Sequence, residues 1–326
     1  MTGGPRRHLR TVLRLASSLA LLALMAWLCD PVATWHAMRR AHLPALLGAL
    51  TAYVASMGIV AWRWQMLLQA EGHQVDIWRL FRYYLIGFFF NNFLPSSVGG
   101  DIVRIVLVRR SGCAWERALS SVFVERLLGF LAMTALAVSS MALLAKTFAA
   151  LPVVVIGTLV LALVFIGITL ICFNARAARL AERLIARVRW STLSRLLQLF
   201  FQSVYAYRAH RSVLVYVFLV SLLYQVVLGG VTYWIMQATG LHAPFLLIFA
   251  LMQVTSMLGV IPITLETTGV REGLYVLVLA NMMGYDRALT LAAIVLVRVV
   301  SIMGSALGGI AFALEGVRIR EVSVAR

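Results

Sequence analysis

The sequence predicts an all-α polytopic membrane protein, with about six spanning helices and two re-entrant broken hairpins arranged as an inverted repeat. Three observations carry that prediction. The 326 residues are 62% hydrophobic, with a mean hydropathy of +0.92, outside the range of soluble globular domains. Apolar runs long enough to cross a bilayer, which takes about 20 residues, recur from one end to the other. Two further apolar runs break at Pro95 and at Pro262 in similar surroundings. A transmembrane barrel would show alternating segments of about 10 residues instead.

Charge refines the class. The net charge is +17, and of 29 basic residues only Lys146 is a lysine. On a membrane protein that balance points to anionic headgroups and to cytoplasmic loops. Nucleic acid is a poor partner, because no soluble basic domain is present to carry it. Cys29, Cys113 and Cys172 are far apart and form no CxxC or Cys/His cluster, so neither a disulfide framework nor a metal site is expected. No cofactor is expected.

The elements follow in order, as one integral membrane domain over 1–326. Arg6, Arg7, Arg10 and Arg14 precede a first helix at about 12–29, which places the N-terminus in the cytoplasm. Ala26-Trp27-Leu28-Cys29 lacks the small residues of a signal cleavage site, so this helix is read as uncleaved. The first half of the repeat, about 43–173, opens with a helix at 43–62 and a charged cytoplasmic segment at 63–82. The first hairpin spans 83–108, and helices follow at about 117–144 and 151–173. Residues 174–211 carry eight arginines and one acid, with Arg176, Arg179, Arg183 and Arg187 alternating with Leu180, Leu184 and Val188. That pattern predicts a basic amphipathic helix on an anionic leaflet. The second half, about 212–314, holds a helix at 212–238, the second hairpin at 245–283 and a last helix at 288–314. Gly304 and Gly308 on this last helix make a GxxxG pair suited to close helix packing. Arg318, Arg320 and Arg326 place the C-terminus in the cytoplasm as well.

The two hairpins match in detail. Proline precedes arginine by nine positions in both, as Pro95 to Arg104 and Pro262 to Arg271. After each comes acid-Arg-Ala-Leu, at 116–119 and 286–289, and then a long helix with an internal arginine, Arg126 or Arg298. Proline removes a backbone donor, and glycine lets the chain turn. Broken backbone at membrane depth survives only where it is buried in protein or lines a cavity. The hairpin reading therefore competes with a kinked transmembrane helix ending in an interfacial loop. Like units of opposite orientation put a binding site at the repeat interface.

Asp101, Arg104, Glu125, Arg126, Glu266, Arg271, Glu272 and Arg298 fall within or beside these apolar runs. Each costs roughly 2.5–3.5 kcal/mol at a helix centre unless paired or hydrated. Two readings stand. The charges pair with one another to fix the bundle, or the four arginines line a cavity for a lipid phosphate and the acids hold them or carry protons. Asn91, Asn92, Ser96 and Ser97, with Pro95, Gly99 and Gly100 around the break, line that cavity or cap the helix ends that the break leaves open.

Three stretches then resemble a known family. They are Phe90-Asn91-Asn92-Phe93-Leu94-Pro95-Ser96-Ser97-Val98-Gly99-Gly100-Asp101, Glu125-Arg126-Leu127-Leu128-Gly129, and Pro262 through Gly269-Val270-Arg271-Glu272-Gly273. They resemble the lysylphosphatidylglycerol synthase transmembrane family, the flippase-like proteins that include the flippase half of the multiple peptide resistance factor. The resemblance covers nearly the whole chain and implies a bacterial or archaeal cytoplasmic-membrane protein that moves or handles lipids. The second hairpin departs from the family pattern Pro-x-x-x-Gly-Gly-x-Gly, with Glu266 and Thr267 in place of the glycine pair. The chain ends at Arg326 without the soluble aminoacyl-transferase domain of some relatives, so aminoacylation of lipid is not expected of it.

The leading expectation is a lipid translocase, not an enzyme, in the bacterial inner membrane. Its cargo is an anionic phospholipid, a modified phospholipid or a polyprenyl-linked lipid. No GxxxxGK[ST] loop occurs in the sequence, so movement would run downhill or on an ion gradient. A membrane enzyme is disfavoured because the six histidines are scattered and no nucleophile–base arrangement appears. The alternative is a scaffold or accessory subunit that recruits a lipid-synthesis enzyme.

Cysteine labelling tests the orientation. With single cysteines at Ser111 and Met283 in a background lacking the native three, an impermeant thiol reagent added to intact cells should label 283 and spare 111. Labelling at both positions, or at 111 alone, contradicts the assigned sides.

Overall fold

Helices make up the chain of the computed structural model, which describes residues 35–36, 39, 41–93, 99–174, 176, 199, 201–260 and 269–324. Helix α1 (Leu43–Ala70) is followed by α2 (Ile77–Phe93), α3 (Gly99–Arg110), α4 (Trp115–Leu143) and α5 (Pro152–Phe173). A 3-10 turn at Tyr207–His210 leads into α6 (Arg211–Ala238), then α7 (Phe245–Leu258), α8 (Val270–Tyr275) and α9 (Arg287–Val324). A π-helical stretch, Val276–Met282, extends α8. No strand occurs among the described residues. Among the described residues five helices are long and apolar enough to cross a membrane. The first helix expected from sequence (12–29) lies outside the described residues, as does most of the basic segment expected at 174–211; its described end, 201–211, is helical and runs on into α6 instead of ending before it.

Both breaks fold back as hairpins. In the first, Asn91 on α2 meets Gly100 on α3, the Gly87 carbonyl faces Gly100, and the Tyr83 hydroxyl lies 3.1 Å from that of Ser111. Partner numbers that rise along α3 as they fall along α2 mean antiparallel helices whose open ends are adjacent. The second hairpin does the same. The Tyr275 hydroxyl donates to the Ile248 carbonyl at 3.4 Å, and the Tyr285 hydroxyl to that of His242 at 3.3 Å. Neither break is a kink in a spanning helix.

The hairpins open at opposite ends of the bundle. α1 and α6 pack antiparallel: the His42 N–H donates to the Ala238 carbonyl at 3.1 Å, and near the other end the Tyr207 hydroxyl donates to the Leu67 carbonyl at 3.2 Å. The first hairpin opens beside the C-terminal end of α1, where Arg117 reaches the Glu71 carbonyl at 3.1 Å. The second opens just after the C-terminal end of α6, which lies beside the start of α1. Exchanging α1–α4 for α6–α9 also preserves the packing. α1 on α2 has its counterpart in α6 on α7, α2 on α9 in α7 on α4, and α3 on α4 in α8 on α9. α5 stands outside this scheme, packed on α4 and α7, with Phe130 stacked on Phe165 at 4.9 Å. It turns Val153, Leu163 and Leu170 outward, as a lipid-facing helix should.

Two helix limits differ from expectation. α1 does not stop at Trp62. It runs eight residues further, because Trp64, Leu67 and Leu68 continue its buried apolar face and no breaker occurs before Gly72, whose φ is +76°. α2 begins at Ile77, with the Asp76 carboxylate accepting the Arg79 N–H at 3.1 Å. The stretch expected as a cytoplasmic segment, 63–82, is therefore mostly helix, with a short turn at 71–76.

Gly304 and Gly308 do provide close packing. A Cβ on Gly304 would lie 2.9 Å from the Tyr53 ring of α1, and one on Gly308 would lie 1.9 Å from the Leu85 carbonyl oxygen of α2. Gly308→Ala should therefore destabilise the protein by about 1–3 kcal/mol or more, as overpacking does. Gly230→Ala, where no atom lies within 4 Å of the new carbon, should be neutral or stabilising by up to about 1 kcal/mol. Thermal unfolding midpoints in one detergent compare the two.

Candidate functional site

At the first hairpin a row of charges is held inside the bundle. Asp101 and Arg104 sit on the first turns of α3, which starts where the chain has just reversed. Close approach of α2 makes this possible: a Cβ on Gly100 would lie 1.8 Å from the Gly87 oxygen, and one on Gly87 would lie 2.6 Å from the Arg104 side chain. Asn91 fastens the turn by accepting the Gly100 N–H at 2.8 Å. Glu125 and Arg126 come from α4 and Arg63 from α1.

These five side chains form one connected network. Arg63 Nη2 donates to Glu125 Oε1 at 2.6 Å, and Arg104 Nη1 to Glu125 Oε2 at 2.9 Å. Arg104 Nη2 donates to Asp101 Oδ1 at 2.7 Å. Arg126 grips Asp101 with two donors, Nε to Oδ2 and Nη2 to Oδ1, both at 2.9 Å. Tyr84 donates to Glu125 Oε1 at 2.9 Å, and Arg63 Nη1 to the Ser221 hydroxyl of α6 at 2.9 Å. The Arg104 guanidinium also lies over the rings of Tyr84 and Trp64, at 4.2 and 5.0 Å, contacts in which a cation meets the negative face of the ring. Desolvated charges are tolerable only with such geometry and with their remaining lone pairs and protons satisfied.

The network borders a cavity of about 240 Å³ lined by Arg63, Arg104 and Arg126, with Asn91 at its edge. A second cavity of about 330 Å³ is lined by Arg271 and Arg298, with Asn92 and Tyr275. The two cavities share Phe88, Tyr224, Leu228 and Ser256. Phe88 near the end of α2 and Ser256 near the end of α7 thus stand between them, one from each half.

The structure thus brings Asp101, Arg104, Glu125 and Arg126 together, and places Arg271 and Arg298 beside the adjoining cavity. Glu272 is spent locally: its carboxylate accepts the Gly269 N–H at 2.6 Å, capping α8 where Gly269 turns with φ +89°. Asn91 both caps α3 and reaches the smaller cavity. Gly99 and Gly100 are buried, and Gly100 gives backbone clearance. Pro95, Ser96, Ser97 and Glu266 lie outside the described residues. Arg63 and Tyr84 were not expected in the site. The signal for Arg63 lay in its spacing, one turn after Val60 and one before Leu67, on a face that never leaves the core. Among the described residues no cluster of three or more histidine, cysteine or acidic side chains could hold a metal ion.

The comparisons with known proteins agree with this architecture. Residues 11–308 match the family model described as the lysylphosphatidylglycerol synthase transmembrane region. The chain belongs to that family. A stretch of 111 residues is 26% identical to a UPF0104 membrane protein of Pyrococcus horikoshii, covering 33% of this chain and 33% of that protein. Membership establishes a multi-pass membrane protein of a lipid-related family. It extends past the third motif at Pro262–Gly273, through both hairpins and the whole ion-pair network.

Proposed function

We propose that this protein is a flippase-like lipid translocase of the cytoplasmic membrane, and that its cargo carries an anionic headgroup. One observation supports this above others. Two adjoining cavities lie between the inverted halves, and each presents a pair of arginines from matching positions, Arg104 with Arg126 and Arg271 with Arg298. Arginine offers a planar fork that fits phosphate in a bidentate manner. Inverted hairpins around a central site are the plan on which many transporters alternate access between two faces. Chemistry on the lipid is not part of this reading. The cargo class is an anionic phospholipid, a modified phospholipid or a polyprenyl-linked lipid, and both termini are assigned to the cytoplasm.

Purified protein in liposomes tests it. Labelled anionic phospholipid should cross the bilayer faster than in empty liposomes and emerge chemically unchanged. Arg271→Ala should reduce that rate at least tenfold while the protein still inserts. Chemical change of the lipid would point to an enzyme. Movement no faster than in empty liposomes would contradict translocation and leave a scaffold for a lipid-synthesis enzyme.

A further inference from the structure

The ion-pair network is closed at one end and open at the other. The side chains of Arg63, Glu125 and Arg104 are 6%, 0% and 2% exposed, whereas that of Arg126 is 37% exposed. Three guanidinium groups share two carboxylates, so the network carries one surplus positive charge, and its accessible member is Arg126. Asp101 holds that member by one donor on each oxygen, while Oδ1 also accepts from Arg104. Two oxygens of one anion bridging two arginines is the same arrangement a phosphate group would make.

The second half shows what is particular to the first. By the hairpin match, Asp101 corresponds to Thr268, and by the arginine match of the long helices, Glu125 corresponds to Val297. At these positions the arginine pair is repeated and the acids are not. Asp101 is thus particular to the first half, where it holds the accessible arginine of a cavity.

We propose that Asp101 is an internal stand-in for the ligand's phosphate, and that a phosphomonoester or phosphodiester headgroup takes Arg126 from it. This deepens the translocation reading and rests on it for the lipid nature of the ligand. In the empty site Arg126 is paired with Asp101. With headgroup bound, Arg126 turns its fork to the phosphate while Asp101 keeps Arg104. A singly charged phosphodiester then neutralises the surplus positive charge. On departure of the headgroup Asp101 recaptures Arg126. At no stage is either charge left desolvated and unpartnered, which is the expensive condition for a buried ion. The net affinity is a difference between two arginine–oxyanion pairings, which keeps the site from trapping its cargo.

The test is equilibrium binding of radiolabelled dihexanoyl phosphatidylglycerol to the purified full-length chain in detergent. Asp101→Asn removes the competitor and should tighten binding at least tenfold. Arg126→Gln should weaken it at least tenfold, and in the double variant the gain from Asp101→Asn should vanish. Arg126→Gln sits at the exposed end and leaves two arginines on two acids, so it keeps the proposal testable if Asp101→Asn fails to fold. Unchanged affinity in Arg126→Gln overturns the proposal, as does weaker binding by an Asp101→Asn protein that unfolds at the wild-type temperature. Inorganic phosphate should not compete at concentrations equal to the probe. Equal competition would overturn the lipid half of the assignment and give the site to free phosphate. Loss of transbilayer movement with these binding results intact would count against translocation alone, and retained movement with unchanged Arg126→Gln binding against the stand-in alone.

Discussion

Arg104 is the side chain on which the first half of the molecule depends. It is fully enclosed, held by Asp101 and Glu125, and lies over two aromatic rings. Placing a guanidinium in so apolar a setting is unfavourable unless every partner arrives together. Those partners come from three directions: Asp101 from its own turn, Glu125 from α4, and Tyr84 from the opposite arm of the hairpin. Arg63 extends the same chain of contacts to α1 and, through Ser221, to α6 in the other half. Burial of one charge thereby fixes the hairpin against both halves of the repeat.

Small residues make that approach possible. Gly87 and Gly100 bring α2 and α3 into backbone contact, and Gly308 does the same for α9 against α2. In a bilayer there is little hydrophobic drive for helix to meet helix, so close packing and polar contacts carry the association. The glycines supply the first, and they set the distance at which the arginines can reach the acids. The exchange of halves leaves the helix packing unchanged and the polar contacts changed. The scaffold is symmetric, and the chemistry placed in it is not.

Much of the fold could be read from the sequence. The nine-residue interval from proline to arginine, repeated at Pro95 and Pro262, marked both hairpins, and positive loops marked their opposite orientation. The limits of α1 were less legible, because Arg63 in an apolar run looks like the end of a span. Its partner Glu125 is 62 positions away, and no local pattern announces such a pairing. Glu272 was legible as a buried acid, but whether it serves a cavity or its own helix is decided by the left-handed turn at Gly269, which residue type alone suggests and does not fix. Asn91 shows the same ambiguity: a side chain at a helix break satisfies the nearest orphan N–H first.

A double-mutant cycle between Arg104 and Glu125, read by thermal unfolding in a single detergent, tests the central claim most directly. Each of Arg104→Gln and Glu125→Gln leaves a buried charge short of a partner and should cost about 3–5 kcal/mol. The double variant should cost clearly less than the two together, with a coupling of about 0.5–3 kcal/mol, as residues in one network show. Simple additivity of the two losses would contradict the account, since it would mean that the hairpin is held without this pair.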